Sequence, residues 1–299
     1  MATSRTSSRR SLRRMLEDRP LDLGDAGIAD VGRLLRVTFP EASHLDADYL
    51  DWCYRANPAG AAIGRNAYEG ESLAAHYVTV PLRARVFGRE ETGVLSLHTA
   101  THPEHQGKGL FTRLAEATYR DAAAAGHGFV VGVANAASTP GFVRKLGFQL
   151  VRPLDVRVGF GPAPLGDAGS ARFSFERLWD EEALRWRLAC PARSYRRASS
   201  GARTIVYAPT GRLGVWAELA SFARDVAAPA ALAPLGLANP LRLWMGLDAS
   251  RAWRGAPWTT LPGSFRPSPL NLIFRDLRGE GRTLDPAMVR FAALDFDAY

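Results

Sequence analysis

The chain has 299 residues, 46% of them apolar and 23% charged, with a net charge of +8; this is the profile of a folded protein of one or two domains, not of a disordered or fibrous one. No run approaches the roughly 20 apolar residues of a membrane-spanning helix, since the longest candidate, 217–237, is interrupted by Arg224, Asp225, Pro229 and Pro234. Cys53 and Cys190 alone cannot build a disulfide framework or a cysteine-only zinc site, which makes the cytoplasm the expected location. Half of the excess charge sits in residues 1–20, read as a disordered basic tail. Its Arg9-Arg10 pair lacks the apolar region an export signal needs. The remaining arginines are scattered, which argues against nucleic acid as a partner.

After the tail, Ile28, Val31, Leu34 and Leu35 repeat at helical spacing until Pro40, giving a first amphipathic helix. A second starts near Asp46, carries Leu50, Trp52 and Tyr54, and ends at Asn57-Pro58-Ala59-Gly60. Strands are expected over 73–80, 84–87 and 93–100. A helix follows over 109–125 with Gly126 as its stop, then a strand over 129–133, a short helix over 140–146 closed by Gly147, and strands over 148–151 and 156–160. This order describes an α/β (α+β) sheet domain over residues 21–160. The Pro- and Gly-rich stretch 161–169 reads as a linker to a second, smaller α+β domain over 170–299, with a helix over 179–188, strands over 204–207 and 213–219, and a terminal strand or short helix over 288–296. Leu184-Arg185-Trp186 followed by Pro191 echoes Leu50-Asp51-Trp52 followed by Pro58, one residue out of register.

The chemistry concentrates where the 93–100 strand runs through Thr101-His102-Pro103-Glu104-His105-Gln106-Gly107-Lys108-Gly109-Leu110-Phe111 into a long helix. A glycine-rich turn opening a helix leaves N–H groups unpaired and aims the positive end of the helix dipole at an anion. Gly107 and Gly109 let backbone approach phosphates, and Lys108 adds a charge.

This loop resembles the coenzyme A loop of the GNAT N-acetyltransferases, whose pattern is Gln or Arg, two residues, Gly, one residue, then Gly or Ala. Gln106, Gly109 and Phe111 occupy the three positions, Phe111 departing from the last. A second resemblance lies in Asn135 and in Pro140-Gly141-Phe142 through Lys145-Leu146-Gly147-Phe148, similar to the segment that closes the family's fold. Trp52 to Pro58, Ala75 to Pro81 and the terminal Leu294 to Tyr299 are similar to longer bacterial GNAT proteins with a second, degenerate GNAT-like half. The resemblance implies a mixed twisted sheet flanked by helices, and acetyl-CoA held by Thr101, Gln106, Gly107, Lys108, Gly109, Leu110, Phe111, Asn135 and Phe142. It also implies direct attack of an acceptor amine on the thioester, helped by a backbone N–H of the strand before the loop.

A base for the amine suits histidine, whose ordinary pKa is near about 6.5; His98 and His76 are the candidates. The family's usual tyrosine acid is replaced by Val143, which leaves Tyr77 as a candidate or an unassisted thiolate. Trp216, Trp244, Trp253 and Trp258 fit a core or an acceptor pocket, and Asp295 and Asp297 fit solvated edge charges or paired acids. No group has metal-ligand spacing, and no metal is expected. The acceptor is expected to be a small-molecule amine. The alternatives are a non-catalytic acyl-CoA-binding module and a nucleic-acid-modifying or -binding protein using the tail. Oligomeric state is open.

Overall fold

The computed structural model describes residues 15–166, 173–212, 214–236, 240–265 and 268–296. The first half runs β1 (Leu16–Pro20), α1 (Asp25–Thr38), α2 (Ala47–Tyr54), β2 (Ile63–Glu69), β3 (Ser72–Val86), β4 (Arg89–Thr101), a 3-10 turn (Pro103–His105), α3 (Leu110–Ala124), β5 (Phe129–Ala134), α4 (Thr139–Leu146), β6 (Gln149–Pro153) and β7 (Asp155–Phe160). The second runs β8 (Phe175–Arg177), α5 (Glu181–Leu188), β9 (Arg196–Ser200), β10 (Arg203–Pro209), β11 (Trp216–Ala223), α6 (Ala227–Ala230), β12 (Leu241–Asp248), β13 (Trp258–Thr260), β14 (Asn271–Asp276) and β15 (Val289–Ala292). None of the described helices is long and apolar enough to cross a membrane.

Local sequence accounts for the helices. α1 buries Ile28, Val31, Leu34 and Leu35 on one face. α2 starts where Asp46 accepts the Tyr49 N–H at 2.9 Å, satisfying one donor that a helix start leaves open. α4 has Pro140 in its first turn and Gly147 at φ 65° as its end.

Three expectations are corrected. The tail does not extend to residue 20: Leu16 pairs with Glu69 and Pro20 with Arg65 on β2, and Arg113 of α3 holds Asp18 at 2.6 Å; residues 1–14 lie outside the described residues. The segments 73–80 and 84–87 are one strand, β3. Pro81 continues it opposite Val94, its carbonyl taking the Asn57 Nδ2 donor at 2.8 Å. The division near residue 165 does not divide the sheet. Among the described residues all strands join one sheet, along β6-β14-β5-β4-β3-β8-β15-β12-β11-β10-β9, with β1, β2, β7 and β13 beside that path. The expected linker is described as far as Gly166, Leu165 bridging Arg251, and 167–172, like 297–299, lie outside.

The halves repeat one topology. A helix (α2 or α5) leads into an antiparallel meander (β2-β3-β4 or β9-β10-β11), then a helix (α3 or α6), then a strand parallel to the last of the meander (β5 or β12). They then exchange strands: β14 lies between β5 and β6, and β7 lies between β12 and β13. The exchange is secured on one side by Arg282, which follows β14 and joins Glu91 of β4 at 2.6 Å to Asp276 at 2.8 Å and to the Gly128 carbonyl at 2.7 Å.

The echo in the sequence is real in space. Trp52 and Trp186 sit equally far beyond capping Asp46 and Asp180, stack at 4.7 Å, and each donates its indole N–H to the other's carbonyl, at 2.9 and 3.0 Å. Two large cores flank the sheet, beside a small cluster of Ala163, Trp244 and Trp258: α1, α2 and α5 cover the larger, and α3 and α4 cover the other through Leu114, Tyr119, Phe142 and Leu146.

Candidate active site

β4 and β5 run parallel, pairing Val94 with Val130, Leu95 with Val131 and Ser96 with Gly132, and then pairing stops although both strands continue. Burial records the opening: Gly93, Val94 and Leu95 are buried, whereas Ser96, Leu97, His98 and Thr99 are half-buried. The closed end is tight, since a Cβ on Gly93 would stand 2.3 Å from the Phe129 ring. On its other edge β4 is bulged. Val78 of β3 faces Leu97 and His76 faces Ala100, which leaves His98 and Thr99 opposite Tyr77. His98 takes a φ of 46°, a left-handed conformation costing about 1–3 kcal/mol in a non-glycine residue, and the extra residue re-aims its side chain.

The wedge leads into the predicted loop. His102 Nδ1 accepts the Glu104 N–H at 3.4 Å, the 3-10 turn comes next, and Gly107 and Gly109 have φ of 74° and 73°. At both glycines an added Cβ would meet nothing within 4 Å, so the backbone is open to a ligand. No side chain caps α3 and no acid lies in its first turn, which leaves N–H donors and the positive dipole end for an anion. Gln106, Gly107, Lys108 and Gly109 are exposed. The site residues thus fit a pyrophosphate.

The other predicted donor-site residues divide. Thr101 lies at the end of β4, half-buried. Leu110 and Phe142 are buried in the core under α3 and α4. Phe111, departing from the family's small residue, is edge-on to Phe142 at 5.1 Å and covers Gly141, where a Cβ would stand 2.9 Å from its ring. Asn135 accepts the Ser138 N–H at 2.9 Å through its side chain and the Thr139 N–H at 3.0 Å through its carbonyl, shaping the entry to α4.

Of the candidate catalysts, His98 and His76 come together and Tyr77 does not join them. Tyr54 of α2 lies between the histidines, its hydroxyl 3.2 Å from His76 Nε2 and 3.1 Å from His98 Nδ1. Tyr49 lies 3.3 Å from His98 Nε2, and Asn66 2.7 Å from His76 Nδ1. Burial, then the charge of His98, pulls His76 down to about 3, so it is neutral near pH 7 and only a weak proton acceptor. Tyr77 points to the opposite core, bonded to Ser96 Oγ at 2.6 Å and to the Tyr119 hydroxyl; burial pushes it up to about 12. Sequence reading missed Tyr49, Tyr54 and Asn66. Only the segment around Trp52 carried a signal, as part of the resemblance.

Loop side chains His102, Glu104 and His105 bring ligand atoms within 4.8 Å of one another, a grouping that spacing alone did not indicate. The Lys108 ammonium lies 3.0 Å from His105 Nδ1, which opposes a cation and favours a role in supporting the loop.

Among its described residues the second half has no comparable opening. β11 and β12 also part after three pairs, Trp216 with Arg242 through Glu218 with Trp244. There β15 pairs with Gly246, Leu247 and Asp248 of β12 and fills the gap. The connection is Arg224-Asp225-Val226, without glycine, and α6 is four residues long. Trp244 and Trp258 are buried, with Trp253 5.0 and 5.6 Å from them; Trp216 is half-buried on β11. Asp295 is buried, accepting from Trp179 Nε1 at 2.8 Å and the Ala292 N–H at 2.7 Å, a structural acid and not a solvated edge charge. Asp297 lies outside the described residues.

A family model described as an acetyltransferase (GNAT) domain matches residues 26–151. No curated protein sequence matches the chain. Among solved structures, the fold is similar to a conserved protein of unknown function from Enterococcus faecalis, a probable N-acyltransferase, at 10% identity over 88% of this chain and 73% of that one, TM-score 0.60. It is also similar to a GCN5-related N-acetyltransferase from Anabaena variabilis (12%, 87% and 73%, TM-score 0.56) and to Eis1 from Mycobacterium abscessus (12%, 88% and 74%, TM-score 0.57). At these identities the likeness is one of fold.

Proposed function

We propose that this chain, which belongs to the GNAT acetyltransferases through residues 26–151, transfers an acetyl group from acetyl-CoA to a primary amine of a small-molecule acceptor. The carrying observation is the wedge between β4 and β5, which opens beside His98 and leads to an uncapped helix start with two open glycines.

In this reading Gln106 to Leu110 receive the pyrophosphate on backbone N–H groups, with Lys108 as an added charge. Acetyl-CoA supplies the thioester. A β4 backbone N–H polarises its carbonyl, and placing donor and acceptor side by side supplies much of the rate. His98 Nε2 takes a proton from the amine, the nitrogen bonds to the carbonyl carbon, the C–S bond breaks, and the thiolate takes a proton from solvent. A thiol pKa near about 8.5 makes that departure acceptable without an acid, and neither Val143 nor the buried Tyr77 supplies one. The acceptor is placed on the α2 side, where Tyr49 and His98 meet and where Arg193 of the second half reaches His44 at 3.4 Å. A folded second half reaching that side favours a small molecule over a chain.

Val143 favours a second reading, an acyl-CoA-binding module without turnover. Release of free thiol from acetyl-CoA across a panel of small amines, with native protein and His98→Ala, separates the two. Thiol release that falls in the variant supports transfer. Binding without release for any amine supports the second reading.

A further inference from the structure

Beneath His98 the hydrogen bonds have a direction. Asn66 and His76 are cross-strand partners, and Asn66 Oδ1 lies 2.7 Å from His76 Nδ1. The amide nitrogen is turned to the Tyr68 hydroxyl at 3.4 Å. An amide oxygen only accepts, so Nδ1 of His76 carries the proton and Nε2 is bare. The Tyr54 hydroxyl, 3.2 Å from that Nε2, therefore donates to it. Its lone pair is then left to accept from His98 Nδ1 at 3.1 Å. His98 in turn carries its proton on Nδ1, and its Nε2 is the accepting atom. The Tyr49 hydroxyl lies 3.3 Å from it, a long contact.

We propose that Asn66, His76 and Tyr54 are positioning residues that lock His98 in its Nδ1–H tautomer and so present Nε2 to the acceptor amine. The tautomer stands on the geometry alone; its catalytic consequence rests on the reading of His98 as the base. Asn66, His76 and Tyr54 are each at most 1% exposed, so no bulk water competes for the bonds that set the direction. Burial keeps His76 neutral and holds the Tyr54 phenol well above its ordinary range, so neither link changes its proton count near neutral pH. When His98 Nε2 gains a proton, Nδ1–H still points at Tyr54, and the imidazolium forms without rearrangement. The bulge and the positive φ of His98 bring its ring to Tyr54, on the face where His76 already lies.

The test uses the full-length protein labelled with 15N-histidine. Long-range 1H–15N spectra should show His76 and His98 both protonated on Nδ1; His98 protonated on Nε2 overturns the proposal. Tyr54→Phe keeps the ring and removes the hydroxyl. It should release His98 into a mixture of tautomers and lower kcat about tenfold, with KM for acetyl-CoA unchanged. An unaltered His98 spectrum in Tyr54→Phe overturns the lock. An altered spectrum with undiminished kcat keeps the lock and overturns its catalytic consequence. His98→Ala tests the underlying reading separately, for if that variant keeps its kcat, His98 is not the base whatever its tautomer.

Discussion

β4 and β5 share three paired residues before they part, and β11 and β12 also share three, yet the first pair opens onto a glycine loop while the second closes around β15. The same supersecondary unit stays open in one half and is a packing slot in the other. The residues just beyond the parting decide between the two. In the first half, open glycines and the uncapped start of a 15-residue helix offer donors to an anion. In the second, Asp225 and a four-residue helix offer no such place, and the backbone groups of β12 are satisfied by β15.

The sharpest way to probe the filled side is Phe291→Ala, which removes a ring with no exposed surface from β15, where it stacks on Phe296 at 5.5 Å. A loss of about 3–5 kcal/mol in urea unfolding is expected, with KM for acetyl-CoA unchanged in the protein that remains folded. On the open side, His98→Ala should lower kcat about 100-fold, at the lower end of what a general base supplies, and leave acetyl-CoA binding intact by titration.

His76 gives a smaller, pH-dependent signature. The unfolded chain takes up its proton below about 6.5 and the fold only near about 3. Stability is therefore full above about pH 6.5 and falls through that window by up to about 1.4 kcal/mol per pH unit. Urea midpoints between about pH 7.5 and 4.5 should show the slope, and His76→Gln should reduce it. The smallest effect is expected from Lys108→Ala. Lys108 is an exposed residue of the loop, so KM for acetyl-CoA should rise only about two- to five-fold, and less at high salt.

How much of this is legible in the sequence depends on the range of the interactions. α1, α2, α3 and α4 announce themselves through apolar spacing, capping residues and end glycines, all local signals. The loop from His102 to Phe111 is equally local, and Gly107 and Gly109 have open space around them. β2 is hidden, because Gly64 and Asn66 break its alternation for reasons that lie on β3: a Cβ at Gly64 would stand 2.6 Å from the Tyr77 carbonyl oxygen, and Asn66 faces His76. Nothing near residue 130 foretells that β5 will pair with β14, and no local pattern reveals that Tyr54 joins two histidines from different strands. The Trp52 and Trp186 echo lies between these cases, visible as a repeat but interpretable only once the two rings are seen to exchange hydrogen bonds.

Calorimetric titration of acetyl-CoA, into the native protein and into Gly109→Asp, tests most directly the claim that one wedge is open and the other filled. A single site per chain is expected in the native protein and none in the variant, its carboxylate standing where the phosphates are placed, with the fold retained by circular dichroism. Two sites per chain, or binding that survives in Gly109→Asp, would contradict that claim.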